Sequence, residues 1–115
     1  MNRKGQAYYQ RQRRRAWERD GGACVVCGRT AESTHHRQGR SGPDPHRLSN
    51  LATMCGDGVR GCHGQAHANP SAAYAQGRTV PRLGIYEPEE TPILTRQGWV
   101  LLDNEGNTTE VKEIA

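Results

Sequence analysis

A chain of 115 residues with 33% hydrophobic side chains, 5% aromatics and no Phe can fold as one domain, but its core is thin and an extra staple is expected. No apolar run approaches bilayer-spanning length and none follows the basic N-terminus, so neither a membrane span nor a signal peptide is expected, and the expected location is the cytoplasm. The net charge of +4 is polarised: residues 1–20 carry seven basic side chains against two acids, and residues 86–115 carry seven acids against Arg96 and Lys112, so the basic end suits a polyanion.

In chain order, residues 7–19 contain no β-branched side chain and predict a helix, broken by Gly21-Gly22. Residues 32–37 predict a short strand, 38–47 an irregular turn-rich loop, and 48–54 a short apolar return strand. Residues 62–68 have helix-compatible composition. Asn69 then offers an N-cap and Pro70 a first helical position for a second short helix over 71–76, stopped by Gly77. Three prolines make 79–92 extended. Residues 99–103 predict a strand, 104–107 a turn, and the last residues are expected to fray. The expected organisation is a basic N-terminal segment (1–20), a core (21–78) and an acidic C-terminal extension (79–115).

Four cysteines come in two pairs, Cys24-x2-Cys27 and Cys55-x6-Cys62. Disulfides are the alternative, but a reducing compartment favours metal, and tetrahedral zinc takes four such thiolates from two chain segments. A redox C-x-x-C needs a βαβ context that is not found here. The six-residue spacer G-D-G-V-R-G holds three glycines and can loop out without parting the sulfurs.

Histidines are laid over the same stretch. His35 and His36 are adjacent at a strand end and face opposite ways, so they are suited to divide labour between metal and water. His63 and His67, four apart on a helix, share a face and could chelate one cation together with a strand histidine. Phosphodiester hydrolysis needs a deprotonated water, a neutralised phosphate and a stabilised leaving oxygen, which a neutral imidazole and a divalent metal supply. Each feature has a plainer reading. His63, next to Cys62, could ligate zinc, His46 could be a surface residue or a stray ligand, and Asn50 could be an ordinary turn residue. Arg37, Arg40 and Arg47 could hold phosphates, although a solvated arginine is the commoner case.

Taken in this order, residues 24–67 resemble the HNH endonucleases of the ββα-metal type, in their zinc-containing subgroup. A weaker likeness to small HNH endonucleases of actinobacterial phages extends through C-G-D-G-V-R-G-C-H-G and W-V-L-L-D. The resemblance implies an α+β fold: a ββα-metal core stapled by a four-cysteine Zn²⁺ site (Cys24, Cys27, Cys55, Cys62), a basic N-terminal helix and an extended or stranded C-terminal segment. It implies that His35 and His63 ligate a catalytic divalent metal such as Mg²⁺, Mn²⁺ or Ni²⁺. His36 would be the general base, and Asn50 would pin the intervening loop by hydrogen bonds. His67 matches a ligand position of the colicin-type DNases.

The wider family has a two-residue spacer in its last cysteine pair, and this chain has six. The implied activity is DNA cleavage leaving 5′-phosphate and 3′-hydroxyl ends, and the phage members act beside a terminase during genome packaging. The rival expectations are a non-catalytic zinc-ribbon nucleic-acid binder, which has no need of the histidine set, and a toxin or restriction nuclease of the same chemistry.

Overall fold

A computed structural model describes residues 5–112. Helix α1 (Gln6–Arg19) buries Gln12 and Ala16, which are four apart and so share a face. Ala16 packs against Leu48 and Leu51. The helix is bolted down by polar contacts as well. Gln12 Nε2 donates to the His46 carbonyl (3.1 Å), and Arg19 donates to the carbonyls of Leu48 (2.9 Å) and Leu51 (2.7 Å). Arg19 also pairs with Asp20, whose carboxylate accepts the Thr53 N–H (3.2 Å). The basic segment is therefore part of the fold from Gln6 onward; Arg3 and Lys4 lie outside the described residues.

Strands β1 (Ser33–His36) and β2 (Leu51–Met54) pair antiparallel, Ser33 opposite Met54 and His36 opposite Leu51. The return strand expected over 48–54 is shorter than that, because Leu48–Asn50 form a 3₁₀ turn. The backbone there is engaged elsewhere. The Ser49 N–H donates to Asn104 Oδ1 (3.1 Å) and the Asn50 N–H to the Arg47 carbonyl (2.9 Å).

Helices α2 (Gly61–Ala68) and α3 (Pro70–Ala75) follow, and α2 packs on β1 and β2. Asn69 stands before α3, but its side chain makes no capping bond and reaches back to Gln65 instead (3.2 Å). Gly77, in a left-handed conformation (φ 68°), stops the helix.

Residues 79–92 are not extended throughout, since Pro88–Glu90 form a second 3₁₀ turn in which the Glu90 carboxylate accepts the Glu87 N–H (3.0 Å). This turn is stitched to the rest by Arg37, which is fully buried. Its guanidinium donates to the carbonyls of Gly77, Ser49, Pro88 and Thr91 at 2.7–3.0 Å. All five N–H donors of the group are used. Burial, and then the charges of Arg19 and Arg47, lower its pKa to about 9, which still leaves it a cation at neutral pH.

The chain ends in a three-stranded antiparallel sheet of β3 (Ile93–Thr95), β4 (Gly98–Leu102) and β5 (Thr108–Glu110). Only β4 was legible in the sequence. β3 is three residues long, and β5 (T-T-E) is exposed and carries no apolar alternation. Ile93, Val100 and Leu102 join Cys24, Ala52, Met54 and Cys55 in one core. The C-terminal extension therefore closes over the cysteine region. Residues 113–115, where fraying was expected, lie outside the described residues. Among the described residues no helix is long and apolar enough to cross a membrane.

Candidate functional site

The two cysteine pairs converge. The Cys24 N–H donates to the Arg29 carbonyl (2.7 Å) and the Gly28 N–H to the Cys24 carbonyl (2.9 Å), which folds 24–29 into a tight knuckle. In the second pair, Asp57 Oδ1 accepts the N–H groups of Val59 (2.9 Å) and Arg60 (2.8 Å), so the spacer turns back on itself. Gly56 (φ 78°) is required in that turn, because a Cβ there would strike the Arg60 carbonyl. Cys62 N then lies 3.4 Å from Cys55 Sγ, and all four sulfurs fall within 4.8 Å of one another.

Cys27 Sγ and Cys55 Sγ are 3.6 Å apart, far from a disulfide bond but close to the roughly 3.8 Å edge of a tetrahedron with zinc–sulfur bonds of about 2.3 Å. Burial opposes ionisation of Cys24, but N–H donors of Cys27, Cys55 and Val26 bring its thiol down to about 7, while burial pushes Cys62 up. Four crowded sulfurs ionise together only around a cation. The four cysteines are positioned to bind a metal ion, consistent with a structural metal such as zinc.

A second cluster lies where β1 meets α2. His35, His63 and His67 bring ring nitrogens within 4.8 Å of one another, with His35 buried, His63 half-buried and His67 exposed. Their protons can be assigned from their partners. His35 Nε2 is 2.7 Å from the Arg78 carbonyl, an acceptor only, so Nε2 carries the proton. Nδ1 is then bare, buried and without a partner. The Ser33 hydroxyl donates its one proton to the Gly56 carbonyl (2.7 Å) and so must accept from His63 Nδ1 (2.7 Å). His63 Nε2 is therefore left bare.

These are the outer bonds that fix metal-ligating imidazoles, and an orphaned buried nitrogen beside two further imidazoles fits a divalent cation. Burial, and then the neighbouring His63, His67 and Arg37, lower the His35 pKa to about 4, so it is neutral at physiological pH. Burial, then His67, lowers His63 as well.

His36 points the other way, as strand alternation demands. Its Nε2 is 2.9 Å from His46 Nδ1, and its ring lies 5.4 Å from that of Tyr9 on α1. Burial, then the charge of Arg40, lowers its pKa to about 3. His36 lines the same cleft as His35 and His67, a space of about 460 Å³ also lined by Tyr74, Arg82 and Leu83. Asn50 is buried, with Oδ1 accepting the Gln38 N–H (2.7 Å) and Nδ2 donating to the carbonyls of Gly39 (3.0 Å) and Pro45 (2.8 Å). Its side chain thus ties both ends of the 38–47 loop.

Three sequence readings need correction here. Arg37 cannot hold a phosphate, because every one of its donors is spent on backbone carbonyls. Arg47 is paired with Glu87 (2.7 Å) and Glu89 (3.5 Å) rather than free. His46, which the sequence offers as a surface residue or a stray ligand, is 5% exposed and bonded to His36. No spacing rule links positions 36 and 46 across an irregular loop; the only signal was a fifth histidine inside the motif region. Arg40 remains exposed, its guanidinium 5.0 Å from the centre of the Tyr9 ring. Compared with family models, with curated proteins and with solved structures, the chain matches none.

Proposed function

We propose that the chain is a metal-dependent DNA endonuclease of the HNH type, hydrolysing phosphodiesters to 5′-phosphate and 3′-hydroxyl ends. The observation that carries this reading is the division of histidines across β1: three imidazoles converge on one side, His35 with a bare buried nitrogen, and His36 faces the other way on the cleft that His35 and His67 also line. A pure zinc-ribbon binder has no use for that set. His35, His63 and His67 would hold a divalent cation, which when bound supplies Lewis-acid stabilisation of the phosphate and the leaving oxygen.

His36 takes the proton from the attacking water. It is neutral at physiological pH, and a phosphate anion entering beside it offsets Arg40 and raises its basicity. Asn50 holds the loop that walls this side. Arg40 and the exposed arginines of α1 are available to the DNA backbone.

The test is incubation of purified protein with supercoiled plasmid in chelator and in Mg²⁺, Mn²⁺ or Ni²⁺. Conversion to nicked or linear DNA with metal, and not with chelator, is expected. DNA binding without cleavage under every metal would leave a nucleic-acid binder and overturn the proposal.

A further inference from the structure

The bond between two imidazoles is the least expected contact in the molecule. His46 Nδ1 sits 2.9 Å from His36 Nε2, with the rings 69° apart in plane. The His46 ring is itself held in place. It stacks on Tyr9 at 4.4 Å and 28°, its backbone carbonyl accepts from Gln12, and the preceding Pro45 carbonyl accepts from Asn50. Three separate elements, α1, the loop and the 3₁₀ turn, thus converge to aim one acceptor at one nitrogen.

A single proton lies between the two rings, and its position decides what His36 can do. If His46 donated, the one lone pair of His36 would be spent on that bond. If His46 accepts, His36 carries its proton on Nε2 and Nδ1 is bare. In that arrangement both rings hold the Nε2-protonated form, which neutral imidazole side chains prefer.

We infer that His46 is a positioning residue that fixes the ring orientation and tautomer of His36, leaving His36 Nδ1 as the nitrogen that accepts a proton; this rests on the nuclease reading above. As a water O–H bond breaks, its proton goes to His36 Nδ1. The water oxygen forms the new bond to phosphorus, the bond from phosphorus to the 3′ oxygen breaks, and solvent protonates that oxygen. The imidazolium formed on His36 then donates to His46 Nδ1 through a charge-assisted bond, which is stronger than the neutral one it replaces. His46 therefore acts more strongly after proton transfer than before it.

Three variants and one spectrum test this. His46→Phe keeps a ring to stack on Tyr9 and removes the acceptor. His46→Asn keeps an oxygen near the place of Nδ1. His46→Ala removes both. The turnover rate for plasmid nicking should fall about 10²-fold in His46→Phe and at least as far in His46→Ala, with KM and metal content unchanged, and His46→Asn should recover most of the loss.

Nitrogen-15 NMR of the wild-type imidazoles should show His36 protonated on Nε2. Full activity in His46→Phe, or His46→Asn no better than His46→Phe, overturns the inference. So does a wild-type His36 protonated on Nδ1, a result that needs neither activity nor a folded variant. A wild type that cuts no DNA under any metal overturns the nuclease reading instead, and the spectrum still decides the tautomer.

Discussion

Among the described residues, the two clusters of side chains positioned to bind metal differ in closure. The cysteine cluster has four donors of one kind, two of them buried, set in a core shared with β2 and the C-terminal sheet. The histidine cluster has three donors graded from buried to exposed, and its His35 and His67 line a cleft. Four ligands complete a tetrahedron and leave no place for a reactant, whereas three leave the cation open. The clusters are joined through Cys62-His63, adjacent in sequence, and through Ser33, which bonds both Gly56 beside Cys55 and the His63 ring. One is a foundation and the other stands on it.

That asymmetry is broken most severely at the foundation. Bound zinc contributes on the order of 10 kcal/mol to folding in small domains, more than this thin core can lose. Cys24→Ser should therefore give a chain without bound metal, without a cooperative thermal transition and without cleavage. The double change His35→Ala and His67→Ala should leave one tightly held metal per chain and a folded protein. Elemental analysis and circular dichroism on the two preparations read this directly. A folded, metal-free Cys24→Ser chain would remove the staple from the account.

The open cluster can then be divided from His36, the proposed base, across β1. His36→Ala should lower the nicking rate by about 10²–10⁴ and resist rescue by added metal. His35→Ala should weaken metal binding and recover part of its rate as metal is raised. A titration of nicking rate against Mn²⁺ for both variants separates them, and rescue of His36→Ala alone would reverse the two roles.

What the sequence disclosed follows the same division. Both cysteine pairs, the helix over His63 and His67, and the opposed His35 and His36 were legible, because turn residues and helix or strand periods act over a few positions. The contacts of Arg37, His46 and the outer strands were not. Arg37 collects carbonyls from Ser49 to Thr91, and its spacing to them follows no period. His46 reaches His36 across a loop whose path is set by Asn50, and Ile93 is buried only because the C-terminal sheet folds back over Cys24. Local rules locate ligands, while closure over them is decided by distant pairs.

Acidification offers a gentler probe. His35 ionises near 4 when folded and near 6.5 when unfolded, and His36 is lowered too. Below pH 6.5 the unfolded chain takes up protons that the folded chain refuses. The stability present above 6.5 is thus lost as pH falls toward 4, by about 3 kcal/mol for His35 alone at about 1.4 kcal/mol per pKa unit. Protonation of the Cys24 thiolate acts in the same direction, so wild type must be compared with His35→Gln. Urea midpoints from pH 7.5 to 4 should fall less steeply in that variant. Parallel profiles would mean that His35 is not held neutral by its surroundings.

The smallest effect concerns the basic helix. Deleting residues 1–20 would be a poor test of DNA affinity, because it also removes Ala16, Gln12 and the Arg19–Asp20 pair that anchor α1 to β2 and the loop. Arg13 and Arg19 are likewise spoken for, bonded to Thr34 and to two carbonyls. Arg11 and Arg14 are exposed, three apart on the helix surface, and can meet successive phosphates. Changing both to Gln should leave the thermal midpoint nearly unaltered, since neither is buried. Each phosphate contact steepens the log–log dependence of duplex affinity on salt by about 0.9, so the double variant should flatten that slope by about 2. Binding measured from 50 to 300 mM salt gives the slope directly. If it does not change, the helix serves the protein alone, through Tyr9 and Gln12 against His46, and the proposed contact between α1 and DNA fails.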